Sequence, residues 1–372
     1  MSVSRPDGQA RQLTAAILVA LACLLAAGPA HARPSLKKSI WGPIKVRGKS
    51  QFPIYRDLGV GIYQTTLSWN EVAPRRPADP ANPDDRRYYW PHEIDYAVNE
   101  GRRYGIRVAV ELIFSPAWAN GGQPYNWVPR PEDFAQFAAT AARRYPGVHM
   151  WMIWGEPTRK ANFRPLSPER YNGQPLNAKQ REAPRNYARI LDAAYGALKQ
   201  VSPRNRVIGG MSFTTGNISP LNWIRHMRLP NGLPPRMDMY GHNPFSARRP
   251  NLRRHRIKPA LADICDLDDL AGWVDRWLGR PRGRKRMKLF LSEYFLPTDH
   301  ANVETNYWVS RKVQADWLGA ALRLARGWSR IYTLGWYALY DDRRRADRQE
   351  VNRGLLTRSG RRKPSYRAYK RG

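Results

Sequence analysis

The chain holds 372 residues, with 63 Lys and Arg against 30 Asp and Glu, a formal charge of +33, and 42% of its residues hydrophobic. That length and apolar content suit one large core, and two cysteines, Cys23 and Cys265, exclude a disulfide-stapled small scaffold. The charge favours anionic partners, but no zinc-ligand spacing, helix-turn-helix or aromatic RNA-binding signature accompanies the basic runs at 279–288, 341–348 and 360–372, so no specific nucleic-acid function is expected.

Residues 1–32 read as a signal peptide. Arg5 and Arg11 precede the apolar run 13–27, and Ala30-His31-Ala32 has the small-x-small form of a cleavage site. The run falls short of the roughly 20 residues that span a bilayer. Export to the periplasm or the exterior is therefore expected, with no transmembrane span in the remaining domain, 33–372. There Cys265 is the remaining cysteine and reads as a buried, inert thiol.

Apolar runs then alternate with amphipathic stretches. Strands are expected at 39–44, 62–69, 106–114, 149–155, 206–213, 237–243, 287–295 and 331–339. Helices are expected over 92–105, 130–147, 186–203, 267–279 and 310–327. In the second of these, Phe134, Phe137, Ala138 and Ala141 recur at spacings of three and four, which makes one apolar stripe. Gly105, Pro146, Pro203 and Pro281 stand where helices end. This alternation indicates an α/β fold, a single-domain (β/α)8 TIM barrel. An open doubly wound sheet is the alternative, but no Gly-rich phosphate fingerprint follows the first strands.

In such a barrel chemistry gathers where strands end and βα loops begin. The stretch "VHMWMIWGEPTRK" (148–160) is a hydrophobic strand that ends on Glu156, and "LFLSEYF" (289–295) delivers Glu293 in the same way. Two carboxyls across one mouth are what glycosidic cleavage requires. One must protonate the leaving oxygen while the other attacks, or stabilises, an oxocarbenium-like centre. Glu71 in "SWNEVAP" (68–74) offers a third acid, but it ends the second strand before a Pro- and Asp-rich loop and reads as a loop residue.

"WMIWGEP" and "LFLSEYF" resemble the fourth- and seventh-strand signatures of the retaining (β/α)8 glycoside hydrolase clan, clan A, which includes the cellulase-like family five and the xylosidase-like family thirty-nine. "PAWA", "GWYALYDD" and the closing "GLLTRSGRRKPSYRAY" fit the same pattern, and the resemblance runs over roughly 39–369. It implies a secreted retaining glycosidase with catalytic Glu156 as acid/base and Glu293 as nucleophile. It also places Trp336 as an aromatic platform for the cleaved sugar and His242 near the nucleophile. The clan usually has Asn before the acid/base, contacting the sugar 2-hydroxyl. This chain has Gly155, so either Asn243 or Asn162 takes over that contact or the substrate lacks an ordinary 2-hydroxyl there. Tyr240 or Tyr294 would supply the hydroxyl that relatives place close behind the sixth strand.

Trp118, in "SPAWANGG" after the third strand, is a further candidate substrate-binding residue. No His, Cys and Asp grouping has metal-ligand spacing, so neither a catalytic metal nor a cofactor is expected. A monomer is expected. The loops 70–91, 157–186 and 244–266 bring Arg and Asn towards the mouth and would suit an anionic or heavily hydroxylated glycan. With Gly155 in place of Asn, a non-catalytic carbohydrate-binding barrel is the alternative function.

Overall fold

Eight parallel strands close on themselves in the computed structural model: β1 Ser35–Trp41, β2 Val60–Ser68, β3 Arg107–Ile113, β4 Met150–Ile153, β5 Arg206–Phe213, β6 Met239–Asn243, β7 Lys288–Tyr294 and β8 Ile331–Tyr337. Each pairs with its sequence neighbours, and β1 closes the ring by pairing with both β8 and β2. The structure describes residues 34–170, 173–252, 258–279, 286–302, 304–305, 307–342 and 351–372. The expected signal peptide, most of 341–348 and parts of the loop 244–266 and of the basic run 279–288 lie outside them.

A helix follows every strand: α1 Phe52–Asp57, α2 His92–Tyr104, α3 Pro131–Arg144, α4 Glu182–Val201, α5 Pro220–His226, α6 Leu267–Trp277, α7 Arg311–Gly327 and α8 Pro364–Arg371. The long ones lie where apolar periodicity placed them. α3 opens with Pro131, whose missing N–H would be unbonded there anyway. Its stripe of Phe134, Phe137, Ala138 and Ala141 is buried, and Phe137 stacks on Trp69 at 5.0 Å. α2 ends at Gly105 with φ +69, a left-handed cap that glycine takes without Cβ strain. α1 and α5 are of 6 and 7 residues, too short for periodicity to reveal. α5 is announced instead by Ser219, whose side chain accepts the Asn222 N–H, followed by Pro220.

Two apolar shells result. The barrel interior holds Ile62, Ala109, Met150, Met152, Ile208, Met211, Met239 and Phe290. The outer shell between sheet and helices holds most of the Leu, Val and aromatic residues. β1 differs from expectation: it starts at Ser35 and stops at Trp41, because Gly42-Pro43 leads into a hairpin, Lys45–Val46 with Lys49–Ser50. α8 seals the ring's closure, with Tyr369 Oη donating to the Ser39 carbonyl at 2.9 Å and Lys38 Nζ donating to the Tyr369 carbonyl at 2.9 Å. Among the described residues no helix is long and apolar enough to cross a membrane.

Candidate active site

β4 stops at Ile153, and the chain turns into the mouth through Trp154 (φ +65), Gly155 and Glu156 (φ +44). Two non-glycine residues in the left-handed region cost of order 1–3 kcal/mol each, and such strain persists only where surrounding contacts impose it. Here they do. The Trp154 N–H donates to the Leu112 carbonyl at 2.8 Å, its indole to the Asn162 carbonyl at 2.8 Å, and Asn162 Nδ2 to the Gly155 carbonyl at 3.3 Å. Asn162 thus braces the turn rather than facing a ligand.

Glu293 reaches the mouth by a different device. Leu334 pairs with Leu291 and Trp336 with Tyr294, so two steps along β8 match three along β7, a β-bulge at Ser292-Glu293. Ser292 points into the barrel, where its hydroxyl donates to Gln64 Oε1 at 2.9 Å and Gln64 Nε2 donates back to the Ser292 carbonyl at 2.9 Å. Tyr294 is consequently thrown outward into the outer core. Glu293 is left at the barrel's mouth, where the Glu156 carboxyl acts on it.

Asn243, at the end of β6, joins the two acids. Its Nδ2 donates to Glu156 Oε1 at 2.9 Å, and its Oδ1 accepts the Glu293 backbone N–H at 3.1 Å. The other oxygen of Glu156 is paired with Arg159 Nη1 at 2.7 Å. A third carboxyl completes the cluster. Glu111, on β3, is 6% exposed and takes a hydrogen bond from the Thr66 hydroxyl at 3.4 Å. Burial first, and the Glu156 charge second, push its carboxyl up to about 8. Glu293 is held well above the usual carboxylate range by burial, then by Glu156 and Glu111, with the Arg353 guanidinium opposing.

An aromatic wall stands beside the carboxyls. Trp41 Nε1 donates to the Ser292 carbonyl at 3.1 Å, and its ring lies 6.2 Å from that of Tyr337. The guanidinium of Arg353 sits over Tyr337 at 4.6 Å and over Phe295 at 4.8 Å. Arg353 is held in turn by Glu304 at 2.5 Å and Asp342 at 2.8 Å.

The other expected wall residues are placed elsewhere. Trp336 is 1% exposed, packs edge-on against Tyr294 in the outer core, and leaves its indole N–H without a hydrogen-bond partner among the described residues. Its neighbour Tyr337 faces the mouth, and burial followed by the Glu293 charge raises the phenol to about 12. His242 is fully buried between the Ser212 hydroxyl at 2.8 Å and the Ala262 carbonyl at 2.9 Å. Both ring nitrogens are engaged, and burial pulls its pKa down to about 4. Trp118 donates to the Ala73 carbonyl at 2.8 Å and lines a cavity of about 330 Å³ with Trp69, Arg76 and Gln136, which holds none of the three carboxyls. Tyr240 is buried on Ser212, and the Tyr294 hydroxyl is buried too. Glu71 is exposed on the short helix after β2.

The sequence reading missed Glu111, Tyr337, Arg159 and Arg353. The signal for Glu111 was an acid inside an otherwise apolar strand, "VAVELI". A larger cavity, about 910 Å³, opens at the opposite end of the barrel among strand starts, lined by Arg107, Arg206 and Lys288 with a single acid, Asp238. It holds none of the paired-acid chemistry. Among the described residues no group of three or more His, Cys, Asp or Glu is placed to hold a metal ion. Cys265 is buried, its thiol on the Arg249 carbonyl.

No family model matches the chain, and no curated protein sequence matches it. Solved structures do. A family 39 glycoside hydrolase from the gut symbiont Bacteroides cellulosilyticus WH2 superposes with a TM-score of 0.64 at 19% identity, over 91% of this chain and 63% of that one. A glucosidase from Croceicoccus marinus gives 0.62 at 14% identity, over 92% and 68%. A β-xylosidase from Caulobacter crescentus CB15 gives 0.59 at 16% identity, over 91% and 69%. The chain thus spans just under two thirds of the first of these structures. At such identities the likeness shows the fold alone: this chain has a (β/α)8 barrel, as these glycoside hydrolases do.

Proposed function

We propose that this chain is a secreted glycoside hydrolase that cleaves O-glycosidic bonds of an oligo- or polysaccharide with retention. The observation that carries the reading is the Asn243 bridge, which ties the Glu156 carboxylate and the Glu293 backbone to one barrel mouth. In the first step the Glu293 carboxylate attacks the anomeric carbon while Glu156 passes its proton to the leaving oxygen. In the second, Glu156 takes a proton from water, the water oxygen attacks the same carbon, and the bond to Glu293 breaks.

In the free protein burial and the two neighbouring acids hold Glu293 high while Arg159 pairs with Glu156, so the division of roles rests on the likeness of the two strand ends to the clan's signatures. Three neighbouring carboxyls cannot all ionise together, so the cluster retains protons to hand on. Positive charge developing at the anomeric carbon favours an ionised Glu293, and Arg353 acts in the same direction. Export is inferred from the pattern of residues 1–32. Attraction to an anionic glycan rests on long-range charge. Of the third loop's arginines, Arg248 is paired with buried Asp263 and Asp266 and Arg249 with Asp316.

The test is reducing-sugar release by purified residues 33–372 on a panel of polysaccharides and aryl glycosides, beside Glu293→Gln. Release that vanishes in the variant, with the product's first-formed anomer matching the substrate by NMR, is the expected result. Inversion would overturn retention. Silence across the panel, with glycan binding intact in both proteins, would leave a carbohydrate-binding barrel. Amino-terminal sequencing of the exported protein should begin at Arg33.

A further inference from the structure

The space beside Gly155 is occupied by another residue's carboxyl. A Cβ built on Gly155 would lie 2.8 Å from Glu111 Oε1 and 3.0 Å from its carboxyl carbon, closer than real Cβ contacts come. We propose that the site takes a glycoside of an amino sugar, whose ring carries a free ammonium group beside the anomeric carbon, and that Glu111 is the carboxylate that recognises it. The inference rests on the glycosidase reading and names its substrate class.

The placement follows from the chain. Gly155 immediately precedes Glu156, and the resemblance to the clan implies that a group at this position meets the ring carbon next to the anomeric one. Glu111 is buried beside the other two acids. Thr66, whose hydroxyl bonds it, is an exposed residue, and the Glu111 charge reaches Glu293.

The charge balance points to the same ligand. In a chain of formal charge +33, the mouth gathers Glu111, Glu156 and Glu293. Arg159 pairs with Glu156, and Arg353 pairs with Glu304 and Asp342. Glu111 is given a neutral hydroxyl and no ion pair among the described residues. A neutral sugar hydroxyl would be met as well by an amide, and burial keeps Glu111 protonated until a counter-charge arrives. An ammonium group supplies the counter-charge, and its hydrogens supply donors to both carboxyl oxygens. The carboxyl against Gly155 also leaves little room for an N-acetyl group.

The experiment compares aryl 2-amino-2-deoxyglycosides and free-amine chitosan oligosaccharides with their N-acetylated and 2-hydroxy counterparts. It uses the wild-type protein, Glu111→Gln and Glu111→Asp. A site built for a charged group discriminates strongly against analogues that lack it. The expected result is kcat/KM at least 100-fold higher for the free-amine substrates in the wild type. That ratio should fall to within tenfold in Glu111→Gln and be retained at a lower rate in Glu111→Asp. Wild-type preference for 2-hydroxy or 2-acetamido sugars, or a ratio unmoved by Glu111→Gln, would overturn the inference and leave the glycosidase reading standing. If no substrate is cleaved, the glycosidase reading fails, and calorimetry of the same sugars with the wild type decides recognition. A free-amine preference that Glu111→Gln abolishes would support the role of Glu111, and its absence would overturn it.

Discussion

Asn243 holds Glu156 by its carboxylate and Glu293 by its backbone, through the two ends of a single amide. One side chain from β6 therefore sets the register of two acids that come from β4 and β7. It also explains why an amide is needed: Glu156 requires a donor and the Glu293 N–H requires an acceptor.

Replacing Asn243 by Ala removes both contacts at once. A hydrogen bond to a charged group contributes roughly 1.5–3 kcal/mol, and about 1.4 kcal/mol is tenfold in rate. A fall of about 10- to 100-fold in kcat/KM is expected, measured by steady-state kinetics on whichever glycoside the panel identifies. Asn243→Asp should be at least as harmful, because it adds a charge beside Glu156.

Gly155→Asn, the change that would make the turn match the clan's usual pattern, should displace the Glu111 carboxyl at a cost in stability. Its Cβ would meet the Glu111 carboxyl at 2.8 Å, and overpacking of this kind costs about 1–3 kcal/mol. Thermal unfolding should show a lowered Tm. Adding Glu111→Ala in the same chain should recover most of the loss, and additive effects of the two changes would contradict the contact.

Two buried groups tilt stability with pH in opposite directions. Glu111 titrates near 8 in the fold against an ordinary 4.5, so the folded state holds the extra proton. Its contribution is present below about 4.5, falls as pH rises to about 8, and amounts to on the order of 5 kcal/mol. Glu111→Gln should flatten that decline in denaturant midpoints between pH 5 and 8.

His242 behaves in the reverse sense. It titrates near 4 in the fold against 6.5, so the unfolded chain binds the extra proton. Stability is complete above about 6.5 and is lost as pH falls to about 4, by on the order of 3 kcal/mol. Urea unfolding of His242→Gln should show a shallower loss over pH 6.5 to 4. Below pH 4 the difference in slope should vanish.

Tyr337 and Trp336 separate binding from packing. Tyr337→Ala should lower kcat/KM about 10- to 100-fold with a modest change in Tm, since it strips the mouth's aromatic wall. Trp336→Phe should leave kcat/KM within threefold and show its effect in Tm. Its ring lies in the outer core, where a smaller ring loses packing. The opposite pattern would return Trp336 to the cleft.

The residues that end the strands were legible because a parallel barrel writes itself as apolar runs of the right length in the right alternation. Glu156 and Glu293 stood out as acids at the tips of such runs, and the β5 prediction at 206–213 coincides with the strand. What periodicity cannot report is the side to which a residue points when both faces of a strand are apolar. Trp336 went to the outer core in place of the mouth, and so did Tyr294, because the pairing of β7 with β8 shifts register twice, between Ile331 and Thr333 and again between Leu334 and Trp336. His242 and Asn243 are adjacent in sequence, yet pleating sends one behind the sheet and the other between the acids. The meeting of Glu111 with Gly155 lies further still from the sequence. It depends on β3 and β4 lying side by side, and only ring closure decides which side chain fills the space that a glycine leaves.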